Sequence, residues 1–191
     1  QQMQKQEGEN VKVSAIYGNF DDAQSFLKRV FTNEEVNAYA NDKGVLFSSA
    51  NSINIGRLFP QIAYYVSTYV SLVDNGAIAE GEPFDVVVPT GNFGNILAGY
   101  FAKKMGVPIG KLICASNKNN VLADFFATGV YNMNREFYTT DSPSMDILLS
   151  SNFERFLFYA AGEDAEKVAK WEHDLLETGR MSVTPQELAA L

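Results

Sequence analysis

The stretch Asp85-Val86-Val87-Val88-Pro89-Thr90-Gly91-Asn92-Phe93-Gly94-Asn95-Ile96-Leu97 restricts this chain more than any other. A short β-branched run reads as a buried strand, the glycine–asparagine segment as a tight turn, and the residues from Asn95 as the first turn of a helix. A strand that feeds directly into a helix is the repeating unit of parallel-sheet folds, so the fold class expected is α/β. Such a turn also gathers backbone N–H groups and a helix N-terminus at one spot, which suits a bound phosphate. Gly91 and Gly94 let the backbone close up and an anion approach, and Asn92 and Asn95 tolerate left-handed backbone and add amide donors. No Asp or Glu occurs between Val86 and Ala123, although the chain carries a net charge of −8. An ordinary strand-to-helix turn would use the same residue types, so this loop leaves both readings open.

The rest of the chain repeats the unit. Strands are expected at Val11 to Tyr17, Gly44 to Ser48, Phe84 to Val88 and Lys111 to Ala115. Helices are expected from Ala23 to about Phe31 behind a cap at Asn19 or Asp21, and from Pro60 to about Val73. Two more run from Asn95 to Met105 and from Asn120 to Ala127. This alternation predicts a mostly parallel sheet layered by helices on both faces. After Asp141-Ser142-Pro143 the pattern changes to consecutive helices, Asn152 to Ala161 and Asp164 to Thr178, with a further helix opening at Thr184-Pro185-Gln186-Glu187. Residues 1–57 are read as part of one βα domain and 58–191 as part of a larger one carrying the phosphate loop, each continuing beyond the sequence given.

Ligands of open α/β sheets lie outside the carboxyl ends of the strands. Three polar turns fall there: Gly18 to Asp22, Ser48 to Asn54 and Thr90 to Asn95. Two aspartates make the first a poor anion site. The second is rich in small hydrogen-bonding residues and runs into Arg57, a cation facing the positive end of the helix that follows, at a cost of about 0.3–1 kcal/mol. A phosphate or carboxylate would reverse that cost through paired hydrogen bonds; a structural carboxylate partner would do the same. Two anion-suited turns on one rim make a ligand pair with two anionic groups the natural proposal.

Charge and composition exclude several alternatives. An isoelectric point near 4.7 argues against nonspecific nucleic-acid or anionic-membrane binding. The single cysteine excludes an internal disulfide framework and suits a reducing cytoplasm, and a single histidine makes a histidine-built metal site or a catalytic triad untenable. His173 falls on a charged helical face and reads as solvated. Cys114 and the Tyr64, Tyr65, Tyr69 set read as packing, and Lys103-Lys104 as the basic end of a helix. No apolar run is long enough to span a bilayer.

Four stretches, in order and together spanning nearly the whole chain, resemble the bacterial and fungal threonine synthases, which depend on pyridoxal 5'-phosphate (PLP). They are Glu7-Gly8-Glu9-Asn10-Val11 with Gly18-Asn19-Phe20-Asp21-Asp22-Ala23-Gln24; Asn51-Ser52-Ile53-Asn54-Ile55-Gly56-Arg57 with Pro60-Gln61; Pro89-Thr90-Gly91-Asn92-Phe93-Gly94-Asn95; and Ser144-Met145-Asp146-Ile147 with Ser150-Ser151-Asn152-Phe153-Glu154-Arg155. The second and fourth are the specific ones. The resemblance implies a fold type II architecture, similar to the tryptophan synthase β chain. It implies conversion of O-phospho-L-homoserine and water to L-threonine and phosphate, with PLP as electron sink. Gly91, Asn92, Phe93, Gly94 and Asn95 would hold the cofactor phosphate, and Asn54 and Arg57 the substrate phosphate. The family's cofactor-bearing lysine is expected in a segment this chain does not contain, so no catalytic residue is assigned and the chain alone is expected to be inactive. A small-molecule substrate, no nucleic acid, no membrane, no metal, a cytoplasmic location and a monomeric or dimeric parent complete the expectation. A threonine dehydratase or cysteine synthase of the same fold is the competing enzyme reading. A non-catalytic phosphate-binding α/β module is the competing reading outside enzymes.

Overall fold

The computed structural model describes residues 8–18, 20–52 and 54–190, which fall into two compact units divided between Phe47 and Ser48. The first unit holds two helices, α1 (Phe20–Thr32) and α2 (Glu34–Asp42). Asn33 ends one and caps the other: its side chain accepts from the Val36 N–H at 2.9 Å, and Glu34 and Glu35 sit in the first turn where the dipole favours them. The expected strand at Val11 to Tyr17 is absent, with only a single bridge between Gly8 and Val11. The expected strand from Gly44 is absent too. Neither segment pairs with a second strand among the described residues, and an extended run without a partner has nothing to satisfy its backbone groups. The expected cap at Asn19 lies outside the described residues, and Asp21 lies within α1 rather than before it.

The second unit opens with a 3₁₀ turn at Ile55–Arg57 and then α3 (Phe59–Asp74), with Pro60 in the first turn, where its missing N–H costs nothing. β1 (Phe84–Pro89), α4 (Gly94–Lys104) and β2 (Ile109–Ala115) form a βαβ unit, with the two strands parallel and Val86, Val87, Val88 and Pro89 opposite Leu112, Ile113, Cys114 and Ala115. An extra residue in β2 shifts the register near its start, where the Asp85 carboxylate takes the displaced Lys111 N–H at 2.7 Å. α4 lies against this sheet and against α3 through Gly99: a Cβ there would stand 2.7 Å from the Tyr65 ring and 2.9 Å from Leu112. On the alternate side of the strands Val87 and Ile113 are exposed.

Beyond β2 come α5 (Val121–Thr128), β3 (Val130–Asn132), α6 (Phe153–Ala160), α7 (Ala165–Thr178), β4 (Arg180–Ser182) and α8 (Pro185–Ala190). β3 and β4 pair antiparallel, with Tyr131 opposite Met181. The Asp164 side chain caps α7 at the Lys167 N–H. Thr184 and Glu187 form a reciprocal capping box on α8, each taking the other's backbone N–H. The core is aromatic: Phe93, Phe125, Phe153 and Phe156 are buried and meet edge-on or tilted at centroid distances of 5.0–5.9 Å. Leu97, Leu157, Leu175 and Met181 extend it. This block sits directly behind the 91–95 loop.

Candidate functional site

The loop after β1 is anchored at its entrance and from behind. Thr90 donates its N–H to the Ala115 carbonyl and its hydroxyl to the Val88 carbonyl, both at 2.7 Å. The carbonyls that follow are taken by one distant segment. Gly91 O accepts from the Ser150 hydroxyl at 2.8 Å. Asn92 O accepts from both the N–H and the side-chain amide of Asn152, at 3.1 and 2.9 Å. Ser150, Ser151 and Asn152 are all buried, so these bonds are shielded from water. With the carbonyl side clamped, the N–H side is left open: among the described residues, none of the amides of Gly91, Asn92, Phe93, Gly94 and Asn95 donates to another group.

The left-handed residue of this turn is Phe93, with φ 61° and ψ 4°, and not one of the glycines or asparagines. A Cβ residue held there stores strain of about 1–3 kcal/mol, which persists because the ring is locked among Phe126, Phe153 and Phe156. The glycines serve close approach instead. A Cβ on Gly91 would stand 3.0 Å from the Ser144 carbonyl oxygen, and one on Gly94 would stand 3.4 Å from the Asn152 amide. The Asn95 side chain turns away into the helix pair, accepting from the Tyr65 hydroxyl and donating to Gln61 Oε1, both at 2.9 Å, so Asn95 contributes its backbone N–H alone. Burial pushes the Tyr65 phenol up to about 12 and keeps it a donor.

The second predicted turn is built around Asn54. Its side chain accepts from the Gly56 N–H at 2.8 Å and donates to the Ser49 carbonyl at 2.7 Å, closing the loop on itself. Arg57 is exposed, donates to the Ala50 carbonyl, and forms no ion pair among the described residues. Its charge is therefore oriented by the loop and available. The two turns adjoin through Ser52. Its hydroxyl shares a hydrogen bond with that of Ser151 at 3.3 Å, and Ser151 in turn donates to Asn92 Oδ1 at 3.3 Å. The Ser52 Cβ lies 3.9 Å from where a Gly94 Cβ would be.

Sequence reasoning missed the clamp and a second cation, Arg155, which donates from Nη1 to the Ser52 carbonyl at 3.3 Å and to Asn152 Oδ1. The readable signal was a run of small polar residues, Ser150-Ser151-Asn152, immediately before an apolar helix start. A third polar cluster holds the rim beside Gly91. The Asp146 carboxylate accepts from the Thr140 N–H and hydroxyl and from the Asn117 and Asn119 amides at 2.7–3.1 Å, which holds its pKa below the usual carboxylate range. Lys118 lies over the Tyr138 ring, 3.7 Å from its centre. Cys114 is half-buried with its thiol pushed up by burial, and His173 is exposed. Of the tyrosines read as packing, Tyr65 is buried but Tyr64 is exposed. Among the described residues no acidic or histidine cluster could hold a metal, and no helix is long and apolar enough to cross a membrane.

This arrangement fits a phosphate monoester. Five amides without an acceptor follow one another through a loop and a helix start, with no carboxylate among the loop residues and a guanidinium on the adjoining turn.

No protein-family model matches the chain. Threonine synthase of Eremothecium gossypii is 42% identical over 202 residues, covering all of this chain and 37% of that protein. Human threonine synthase-like 1 is 49% identical over 160 residues, 83% of this chain and 22% of that protein. The crystal structure of PLP-bound threonine synthase from Brucella melitensis superimposes with a TM-score of 0.77 at 42% identity, covering 92% of this chain and 36% of that one. The chain thus spans well under half the length of the relatives it matches. By sequence and by backbone it belongs with the threonine synthases, and it has their α/β fold, that of the fold type II PLP enzymes.

Proposed function

We propose that this chain supplies the two phosphate grips of a PLP-dependent carbon–oxygen lyase that converts O-phospho-L-homoserine and water to L-threonine and phosphate. The observation that carries the reading is the run of free amides from Gly91 to Asn95, clamped from behind and joined through Ser52 to the turn bearing Arg57. The backbone N–H groups of Gly91, Asn92, Phe93, Gly94 and Asn95 hold the cofactor phosphate in this reading. When bound, PLP supplies an electron sink at the substrate α-carbon.

Asn54 and Arg57 face the substrate phosphate. Arg57 gives the group two parallel hydrogen bonds and a full positive charge, which matter most as the phosphate leaves and its negative charge grows. Asn54 fixes the loop that aims Arg57, through its bonds to Gly56 and Ser49. The clamp at 150–152 keeps the amides aimed and removes the loop carbonyls from the anion's side. None of the chain's lysines is assigned as the cofactor-bearing base, and the chain by itself is expected to be inactive. A cytoplasmic setting and a monomeric or dimeric parent belong to the same proposal.

The test is a ¹⁵N amide titration with pyridoxamine phosphate, which lacks the aldehyde that labels surface lysines, and separately with O-phospho-L-homoserine. Pyridoxamine phosphate should shift the Gly91 to Asn95 amides. O-phospho-L-homoserine should shift Gly56 and Arg57, whereas unphosphorylated homoserine should not. Arg57→Ala should weaken the phosphorylated substrate about tenfold or more, one charge-assisted bond being worth about 1.5–3 kcal/mol. It should leave pyridoxamine phosphate unchanged. Silent amides at 91–95 would refute the reading.

A further inference from the structure

Arg155 occupies the third residue of α6, where a cation opposes the helix dipole at a cost of about 0.3–1 kcal/mol. Its contacts explain its place. Nη1 donates both to Asn152 Oδ1 and to the Ser52 carbonyl. The other end of the same Asn152 amide, Nδ2, donates to the Asn92 carbonyl at 2.9 Å. That carbonyl belongs to the peptide unit whose N–H is the free amide of Phe93.

From this continuity, which rests on the phosphate reading above, we infer that Arg155 is a positioning residue in a hydrogen-bond relay that makes the two phosphate grips bind cooperatively. The path runs from the Phe93 N–H through the Asn92 carbonyl, the Asn152 side-chain amide and the Arg155 guanidinium to the Ser52 carbonyl on the Arg57 turn. The Asn92–Phe93 peptide and the Asn152 amide each donate and accept along it, Arg155 donates twice, and the Ser52 carbonyl accepts. An anion on the Phe93 N–H pulls electron density through the peptide and makes the Asn92 carbonyl a stronger acceptor. Asn152 Nδ2 is drawn more firmly to it, and the polarised amide presents a stronger acceptor at Oδ1 to Arg155. Up to Asn152, which is fully buried, bonds in series reinforce one another in this way where water is excluded. Past Asn152 it is position and not polarisation that is passed on: with Nη1 held at Oδ1, its second N–H stays aimed at the Ser52 carbonyl, and the Arg57 turn is better ordered. By linkage, phosphate on that turn strengthens the 91–95 grip by the same factor.

The experiment measures inorganic phosphate affinity at the Gly56 and Arg57 amides, with the 91–95 loop empty and then saturated with pyridoxamine phosphate. In the unaltered chain saturation should tighten phosphate about 2- to 10-fold, the worth of one hydrogen bond. In Arg155→Gln the ratio should fall to one. A purely electrostatic or structural role would weaken both affinities yet leave their ratio intact. Ser151→Ala removes the other bridge between the turns, from Ser52 through Ser151 to Asn92, and should keep the ratio, whereas its loss there would place the coupling on that bridge and overturn the relay; Arg155→Lys should restore part of the ratio. If Arg155→Gln does not fold, the guanidinium signals of Arg155 in the unaltered chain decide, and they should shift when pyridoxamine phosphate binds. A ratio of one in the unaltered chain, a ratio that survives Arg155→Gln, or unmoved guanidinium signals would overturn the relay while leaving both grips standing. Silent amides at 91–95 would overturn the phosphate reading, and the relay with it.

Discussion

Replacing Phe93 by alanine and by glycine should reverse the usual order of those two residues. Phe93 is 4% exposed and its ring touches Phe126, Phe153 and Phe156. Phe93→Ala therefore leaves a cavity in the aromatic block and should cost about 3–5 kcal/mol. Alanine still has a Cβ, and without the ring the Asn92 and Phe93 carbonyls are still held by Asn152 and the Leu97 N–H, so at φ 61° it keeps the left-handed strain of about 1–2 kcal/mol. Glycine removes that strain but adds freedom to the unfolded chain worth about 0.4–1 kcal/mol. The balance leaves Phe93→Gly more stable than Phe93→Ala by up to about 1.5 kcal/mol. Inside a helix, by contrast, glycine is worse than alanine by about 1 kcal/mol, and Ala169→Gly at an exposed position of α7 supplies that control. Urea unfolding followed by Trp171 fluorescence is the assay, because the chain's one tryptophan is buried in α7 and reports this unit. Should Phe93→Gly unfold at lower urea than Phe93→Ala, the backbone at 93 is not strained. The account of the loop as turning on a strained left-handed residue would then fail.

Two further outcomes follow from neighbouring contacts. Gly91→Ala should cost about 1–3 kcal/mol, because the new Cβ meets the Ser144 carbonyl at 3.0 Å and the Met145 Cα at 3.4 Å, both backbone atoms that cannot rotate away. Its pyridoxamine phosphate affinity should drop about tenfold or more, and an unchanged titration would show that the loop tolerates the shift. Asp146 has a lowered folded pKa, so its stabilisation is complete above the unfolded value of about 3.9 and is lost as pH falls through the lower folded value. Urea midpoints should therefore drop more steeply below about pH 4 in the unaltered chain than in Asp146→Asn, and parallel acid limbs would contradict the assignment.

How far the sequence revealed this molecule follows from the range of the forces involved. α3, α4, α5 and α7 were legible because helix signals are local: Pro60 at a start, Asp164 as a cap, and glycines at 106, 129 and 179 at or just past the ends. α2 was equally signalled by Asn33-Glu34-Glu35 and was passed over. The strands expected at 11–17 and from 44 have suitable residues but no partner strand among the described residues, and pairing is not a local property. β3 and β4, three residues each, are too short for alternation to show, and they exist because α5 and α7 deliver them side by side.

The same division runs through the candidate site. The amide-rich turn at 91–95 and the turn closed by Asn54 could be read from glycine and asparagine chemistry, because those loops are shaped mostly by their own residues. Which residue turns left-handed could not, since the aromatic block overrides the intrinsic preference for Gly91 or Asn92 and places the strain on Phe93. The clamp was hidden for a related reason: Ser150 and Asn152 lie about sixty residues from the carbonyls they hold, and small polar residues before a helix look like any cap. The fold thus shows how an acidic chain could present the anion site proposed here. In the proposed reading the attraction comes from the backbone dipoles at 91–95 and from Arg57, held by the Ala50 carbonyl on the turn that Ser52 and Ser151 join to Asn92, so that local donors outweigh the net charge.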